Sequence, residues 1–229
     1  MRYRAEAMSV EGFVQQIACC YLRHGYWFYV SGVIPAKKDP RAVDEKLVAK
    51  YGIDVSESTR LRRKRAGYAN LQYLRHDRFF VLMATKGRHK FFEDEAGRIR
   101  DIRRIPLVYQ GYSISYRRGG RTRNGEVDTS WHAHVIIKRS AYLELQAKLM
   151  EMARHRRVEA VALAFYEIPF ERYAPIRRQL LSILRNVNEV RQRAGFATVM
   201  SEVLGLRRRV VRPFAAAPMS MAVPAEAET

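Results

Sequence analysis

The chain has 229 residues, with 42 Lys and Arg against 23 Asp and Glu, a formal charge of +19. That length suits one domain with short appendages, and 48% hydrophobic residues excludes a wholly disordered chain. No apolar run approaches the ~20 residues of a membrane span, Gln15 and Gln16 break the N-terminal apolar stretch, and adjacent Cys19 and Cys20 cannot build a disulfide framework or a Cys-type zinc site. A reducing cytoplasm with no membrane contact is the expected setting, and the charge points to a polyanionic partner, nucleic acid first.

Ser9 is placed to cap a helix running to about Leu22, with Phe13, Ile17 and Tyr21 on one face. The aromatic and β-branched stretch from Gly25 to Ile34, ended by Pro35, reads as a strand. Asp39-Pro40 is a helix start, and Val43, Leu47 and Tyr51 recur at helical spacing before Gly52. Tyr68 to Leu74 and Arg78 to Thr85 read as a hairpin turning at Arg75-His76-Asp77. The unbroken apolar run from Phe79 to Ala84 is expected at the centre of a sheet. Residues 87–104 read as irregular.

Ile105 to Tyr116 is predicted as one long strand. A basic, Gly-rich turn over 117–125 leads into a second strand from Thr129 to Lys138. Ser140 is expected to cap a helix with Tyr142, Leu145, Leu149 and Met152 on one face, and Val158 to Phe165 reads as a strand. From Ile176 the pattern is an amphipathic helix ending at Gly195, with Arg177, Arg178, Arg185, Arg191 and Arg193 assigned to its solvent face. The predicted fold is α+β, a mostly antiparallel sheet flanked by helices in a single domain over 1–206, with a basic flexible tail over 207–229.

The charge is concentrated. Residues 60–124 hold 18 Lys and Arg against 5 Asp and Glu, an excess of 13. The candidate nucleic-acid-binding residues are Arg60, Arg62, Arg63, Lys64, Arg65, Lys86, Arg88, Arg117, Arg118, Arg121 and Arg123, joined by Arg177 and Arg178. Guanidinium and ammonium groups neutralise phosphates, and Tyr68, Tyr73, Tyr109, Tyr112 and Tyr116, interleaved with them, offer rings on which unpaired bases stack. No Gly-rich loop followed by Lys-Ser/Thr is present, so no nucleotide-cradling motif is indicated.

One stretch carries chemistry: Trp131-His132-Ala133-His134-Val135-Ile136-Ile137. On a strand His132 and His134 project to one face, where two neutral imidazoles can share a divalent metal. Histidine–X–histidine on a strand, an apolar strand before it and a tyrosine on a helix after it together resemble the HUH endonucleases. That family comprises rolling-circle replication initiators, relaxases and single-strand transposases. The resemblance covers about residues 68–195 and implies His132 and His134 as metal ligands for Mg²⁺ or Mn²⁺. It further implies Tyr173 as the nucleophile, single-stranded DNA as substrate, a 5′-phosphotyrosine intermediate and a setting in a mobile element or plasmid.

The chain departs from the family pattern in two places: Ala133 is small for its position, and Arg177 stands where a lysine is frequent. The third metal ligand stays open among Asp77, His89, Gln110 and Glu167, and Tyr166 is the rival nucleophile. Two functions therefore stand side by side: a metal-dependent single-strand nickase, and a non-catalytic basic protein that binds DNA or RNA.

Overall fold

The computed structural model describes residues 3–120, 124–205 and 210–215. Helix α1 (Val10–Gln15) starts at Ser9, whose hydroxyl accepts from the Gly12 N–H at 3.0 Å. It continues as a π turn (Gln16–Tyr21) and a 3-10 turn (Leu22–His24). Strand β1 (Phe28–Val33) follows, then α2 (Pro40–Lys50), whose first N–H groups, those of Arg41 and Ala42, donate to the Asp39 carboxylate. Helix α3 (Glu57–Arg65) is capped by Ser56. Next come β2 (Leu71–His76), β3 (Phe79–Ala84), the one-turn α4 (Phe91–Asp94) and β4 (Arg100–Asp101). The remaining strands are β5 (Leu107–Tyr109), β6 (Tyr112–Arg118) and β7 (Trp131–Ile137). Helices α5 (Arg139–Met152), α6 (Val158–Tyr166) and α7 (Ala174–Arg193) follow, and a 3-10 turn (Ser201–Leu204) closes the order.

The fold is α+β. Two antiparallel sheets run in the orders β2-β3-β1-β4 and β5-β6-β7. The first is buried on both faces. Val30, Leu71, Tyr73, Leu82 and Ala84 pack with Tyr51, Ile53 and Phe91 on one side. Tyr29, Leu74, Val81 and Met83 join the larger core of α1, the second sheet and α5 to α7 on the other. That double burial is why β3 shows no polar alternation. No helix among the described residues is long and apolar enough to cross a membrane.

Several expectations are corrected. Ile105 to Tyr116 is two strands, not one: Gln110 and Gly111 sit at φ 42° and 76°, and β5 folds back on β6 with Tyr109 opposite Tyr112. Positive φ at both central residues gives the reversed twist that a two-residue hairpin needs. Each half alternates on its own, so the pattern runs through the reversal without showing it. Val158–Tyr166 is a helix, not a strand; its buried residues Val161 and Phe165 are four apart, one helical turn. Ser140 lies inside the first turn of α5, whose start at Lys138 has no side-chain cap.

Arg191 is fully buried rather than on the solvent face of α7. Its guanidinium donates to the carbonyls of Ala153, His155, Arg156 and Ala197, which ties α7 to the end of α5. Part of the expected flexible tail is docked. The Gln15 amide donates to the Val211 carbonyl at 2.7 Å and accepts from its N–H at 3.2 Å, and the Met8 N–H donates to the Pro213 carbonyl at 2.8 Å. The rest of the predicted tail, 207–209 and 216–229, lies outside the described residues.

Candidate nucleic-acid interface

Four segments distant in sequence meet at one end of the first sheet. Phe28, which opens β1, pairs with Ala84 at the end of β3 on one side and with Asp101 in β4 on the other, and Leu71 opens β2 opposite Ala84. The residues just beyond these pairs, Trp27, Lys86, Arg88, Arg103 and Tyr68, therefore emerge along one rim.

Gly87 makes the approach of two of these segments feasible. Its φ is 145°, and a Cβ there would lie 2.5 Å from the Ala69 nitrogen and 2.6 Å from the Tyr68 carbonyl carbon. With only hydrogen at that place, the Ala69 N–H donates to the Arg88 carbonyl at 3.1 Å and the Arg88 N–H to the Gly67 carbonyl at 2.9 Å. The Arg88 guanidinium then lies 4.9 Å from the centroid of the Tyr68 ring, a cation–π contact at the surface.

Helix α3 runs directly into this corner and buries none of its residues. A helix polar all round contributes little to a core; this one is anchored by Arg60 and Arg63, which donate to the carbonyls of Ile53 and Gly52. Arg62 donates to the Thr59 hydroxyl at 3.3 Å, and Lys64 and Arg65 are exposed. The structure thus brings Arg60, Arg62, Arg63, Lys64, Arg65, Lys86 and Arg88 to one region.

The second sheet meets the same rim through a column of rings. Trp27 stacks on Tyr116 with centroids 6.1 Å apart at 26°, and Tyr116 stacks on Trp131 at 5.7 Å and 18°. The Arg103 guanidinium covers Trp27 at 4.4 Å and lies 5.9 Å from Trp131. Asp101 fixes that guanidinium, accepting from Nη2 at 2.6 Å and from Nε at 2.9 Å. Arg117 and Arg118 follow Tyr116 on β6, with Arg118 donating to the Thr129 carbonyl and Arg117 to the Ser115 hydroxyl. Arg121 and Arg123 lie outside the described residues.

Of the five tyrosines expected to offer rings, Tyr73, Tyr109 and Tyr112 are buried, while Tyr68 is 46% exposed and Tyr116 half-buried. Sequence reasoning missed Trp27, Trp131 and Arg103. The available signal was that the chain's two tryptophans both flank strand-like stretches, Trp131 just past the basic turn.

His132 and His134 share a face of β7, as their spacing predicts. Tyr112, Ile114, Val135 and Ile137 are buried on the core side of the hairpin. The other side carries the two histidines, with Arg117 opposite His132 and Ser115 opposite His134. His132 Nε2 is 2.7 Å from Asp128 Oδ2. The Asp128 carboxyl is held below its usual value by hydrogen bonds from Ser130 first and His132 next. His134 is pushed below the usual imidazole value by burial, and further by the positive charges of Arg117 and Arg178. Its Nδ1 is buried with no partner among the described residues.

Among the described residues no group of three or more His, Cys, Asp or Glu is placed to hold a metal ion. The donor set around His134 does not fit Mg²⁺ or Mn²⁺. Such hard cations seek carboxylate and carbonyl oxygens, whereas two guanidiniums raise the local potential here.

Tyr173 immediately precedes α7, and its ring packs against the main core. Its N–H donates to the Glu171 carbonyl, and the Glu171 N–H donates to the Tyr112 hydroxyl at 2.9 Å. Tyr112 pairs with Ile137, the far end of β7 from His132. Helix α7, which Tyr173 precedes, is tied to β7 by Gln179, whose amide accepts from the Ile137 N–H at 2.8 Å and donates to the Ile137 carbonyl at 3.1 Å. Tyr166 is 73% exposed at the end of α6. Of the α7 arginines, Arg178 is exposed and Arg177 half-buried. No family model matches this chain, and no curated protein or solved structure matches it either.

Proposed function

We propose that this protein binds single-stranded nucleic acid along the rim formed by α3, the Lys86–Arg88 turn and the end of the β6–β7 hairpin. The observation that carries the reading is the Trp27–Tyr116–Trp131 column with Arg103 laid over it. Trp131 is 43% exposed, so part of its ring is offered to solvent. Unpaired bases stack on exposed rings, and the surrounding guanidiniums neutralise the phosphates between them. A duplex hides its base faces and gains only the electrostatic part.

The chain has two tryptophans, and both are in the column. Titration with single-stranded DNA, single-stranded RNA and duplex DNA, read by tryptophan fluorescence and by anisotropy of a labelled strand, tests the reading. We expect single strands to bind more tightly than duplex and to quench the indoles. Equal affinity for duplex with unchanged fluorescence rejects it.

Strand cleavage of the kind the resemblance implies is the second reading, favoured by one observation: His132 and His134 share the outward face of β7, with Asp128 on His132. Incubation with labelled single-stranded DNA and Mn²⁺, followed by a denaturing gel, tests it. A covalent adduct lost in Tyr173→Phe establishes cleavage; no adduct leaves binding as the function.

A further inference from the structure

Helix α6 is apolar on nearly every side. Of its 9 residues, Val158–Tyr166, only Glu159 is charged, and the rest are Val, Ala, Leu, Phe and Tyr. A helix of that composition belongs in an interior, yet only Val161 and Phe165 are buried. On the outward face Leu163 is 55% exposed and Tyr166 73%, and Ala160 is exposed as well. Ala160 and Tyr166 are three residues either side of Leu163, so they adjoin it on the helix surface.

The charges at the two ends of α6 oppose its own dipole. Exposed Arg156 and Arg157 stand at the N-terminal end, and exposed Glu167 follows the last residue. A helix favours anions at its N-terminus and cations at its C-terminus. Only Glu159, in the first turn, suits the helix that carries it. An antiparallel second α6 reverses this, because it brings a C-terminal carboxylate beside N-terminal guanidiniums at both ends of the pair. A wholly acidic or wholly basic partner matches one end and is repelled at the other.

We propose that α6 is the contact between two copies of this chain, paired antiparallel about a two-fold axis near Leu163. Under that symmetry Leu163 lies against Leu163 of the second copy. Glu167 meets the second copy's Arg156 and Arg157, and Glu159 accepts from the second copy's Tyr166 hydroxyl. The same patch is complementary to itself in polarity and in charge, as an isologous interface requires. One short helix covers less than the ~800 Å² per partner of a standard interface, so association is weak and concentration-dependent. Pairing of this kind does not depend on the single-strand reading.

Sedimentation equilibrium of the full chain, freed of nucleic acid, tests it from about 10 to about 500 μM. Salt of about 0.15 M screens the repulsion between two basic copies beyond ~8 Å. Wild type is expected to move from monomer toward dimer across that range. Leu163→Lys should weaken association about 10-fold or more. The lysine lies one turn from both Glu159 and Glu167, which supports the isolated helix.

Two charge-reversed chains test the arrangement: Glu167→Arg in one, Arg156→Glu with Arg157→Glu in the other. Each alone sets like charges face to face and should stay monomeric. Mixed in equal amounts they restore opposite charges at both ends and should associate as wild type does. Both reversals suit the α6 dipole, so the helix is kept.

A monomer at every concentration overturns the proposal, and so does association unchanged in Leu163→Lys. A mixture no more associated than its two components overturns the antiparallel pairing. None of these measurements involves a nucleic acid, so failure here leaves the single-strand reading standing.

Discussion

Arg103 and Trp27 join the two sheets: the guanidinium lies 4.4 Å over the indole, and the same indole stacks on Tyr116 of the other sheet. A cation–π contact of this kind contributes about 0.5–2 kcal/mol according to how far it is desolvated. Because Asp101 pairs opposite Phe28 and grips Arg103, the cation is aimed by the register of β1 with β4. The ring column is therefore positioned by backbone pairing rather than by a flexible loop.

Trp131→Ala is expected to weaken single-strand binding by about 1–3 kcal/mol and to leave duplex binding nearly unchanged. The residue is 43% exposed, so little core area is lost, and thermal melting should show only a small drop in stability. Anisotropy titrations with matched single and double strands measure the split. An equal loss for both would mean that the ring does not stack on bases.

Binding should weaken steeply with salt. With about six phosphates neutralised, log K should fall against log salt with a slope of about −4 for single strands. Neutralising Arg62, Arg63, Lys64 and Arg65 together should make that slope shallower by about 3. Phosphate contacts carry no base information, so unrelated sequences should lose affinity equally.

Gly87→Ala should be destabilising by on the order of 2 kcal/mol or more. The new methyl meets backbone atoms of residues 67–69, which cannot move aside as a side chain tip can. Gly119→Ala is the control: its φ is also positive, at 101°, but nothing lies within 4 Å of a Cβ there. It should cost only the roughly 1–2 kcal/mol of the strained conformation. Denaturant melts of the two variants measure the difference.

Acidification should destabilise the fold as pH falls below the ordinary imidazole value of 6.5. Burial lowers the pKa of His134, with Arg117 and Arg178 adding to it, and burial likewise lowers His76 and His89. Between the folded and ordinary values the unfolded chain binds more protons than the folded one, so stability rises with pH across that window and levels off above it. His134→Gln should flatten the part due to His134. Urea melts across the pH series give the slope.

Arg191→Met should cost about 1–3 kcal/mol, because the buried Ala153 carbonyl would be left without this donor and the ties to the carbonyls of His155, Arg156 and Ala197 would be lost. Thermal melting measures it. A loss below about 1 kcal/mol would mean that water replaces the guanidinium, and hence that the junction of α5 and α7 is open.

Local chemistry was legible in the residues themselves. Ser9 and Asp39 cap their helices because a short side-chain oxygen next to free N–H groups needs no tertiary help. The shared face of His132 and His134 follows from strand alternation alone, and the two apolar runs either side of a polar turn announce the hairpin of β2 and β3. The weight of positive charge between residues 60 and 124 is a property of composition.

What needed the tertiary structure was every matter of partnership. Val158–Tyr166 has an apolar run too short for period to separate strand from helix, and packing against the main core decides for helix. Arg191 looks like a surface cation until four carbonyls from other segments close on it. Trp27, Arg103, Tyr116 and Trp131 are far apart along the chain, and only the register of β1 with β4 and of β6 with β7 stacks them. Pattern along a chain records which side of an element meets the interior; it does not record which distant residue stands there, because sheet pairing and loop reversals set that distance in space.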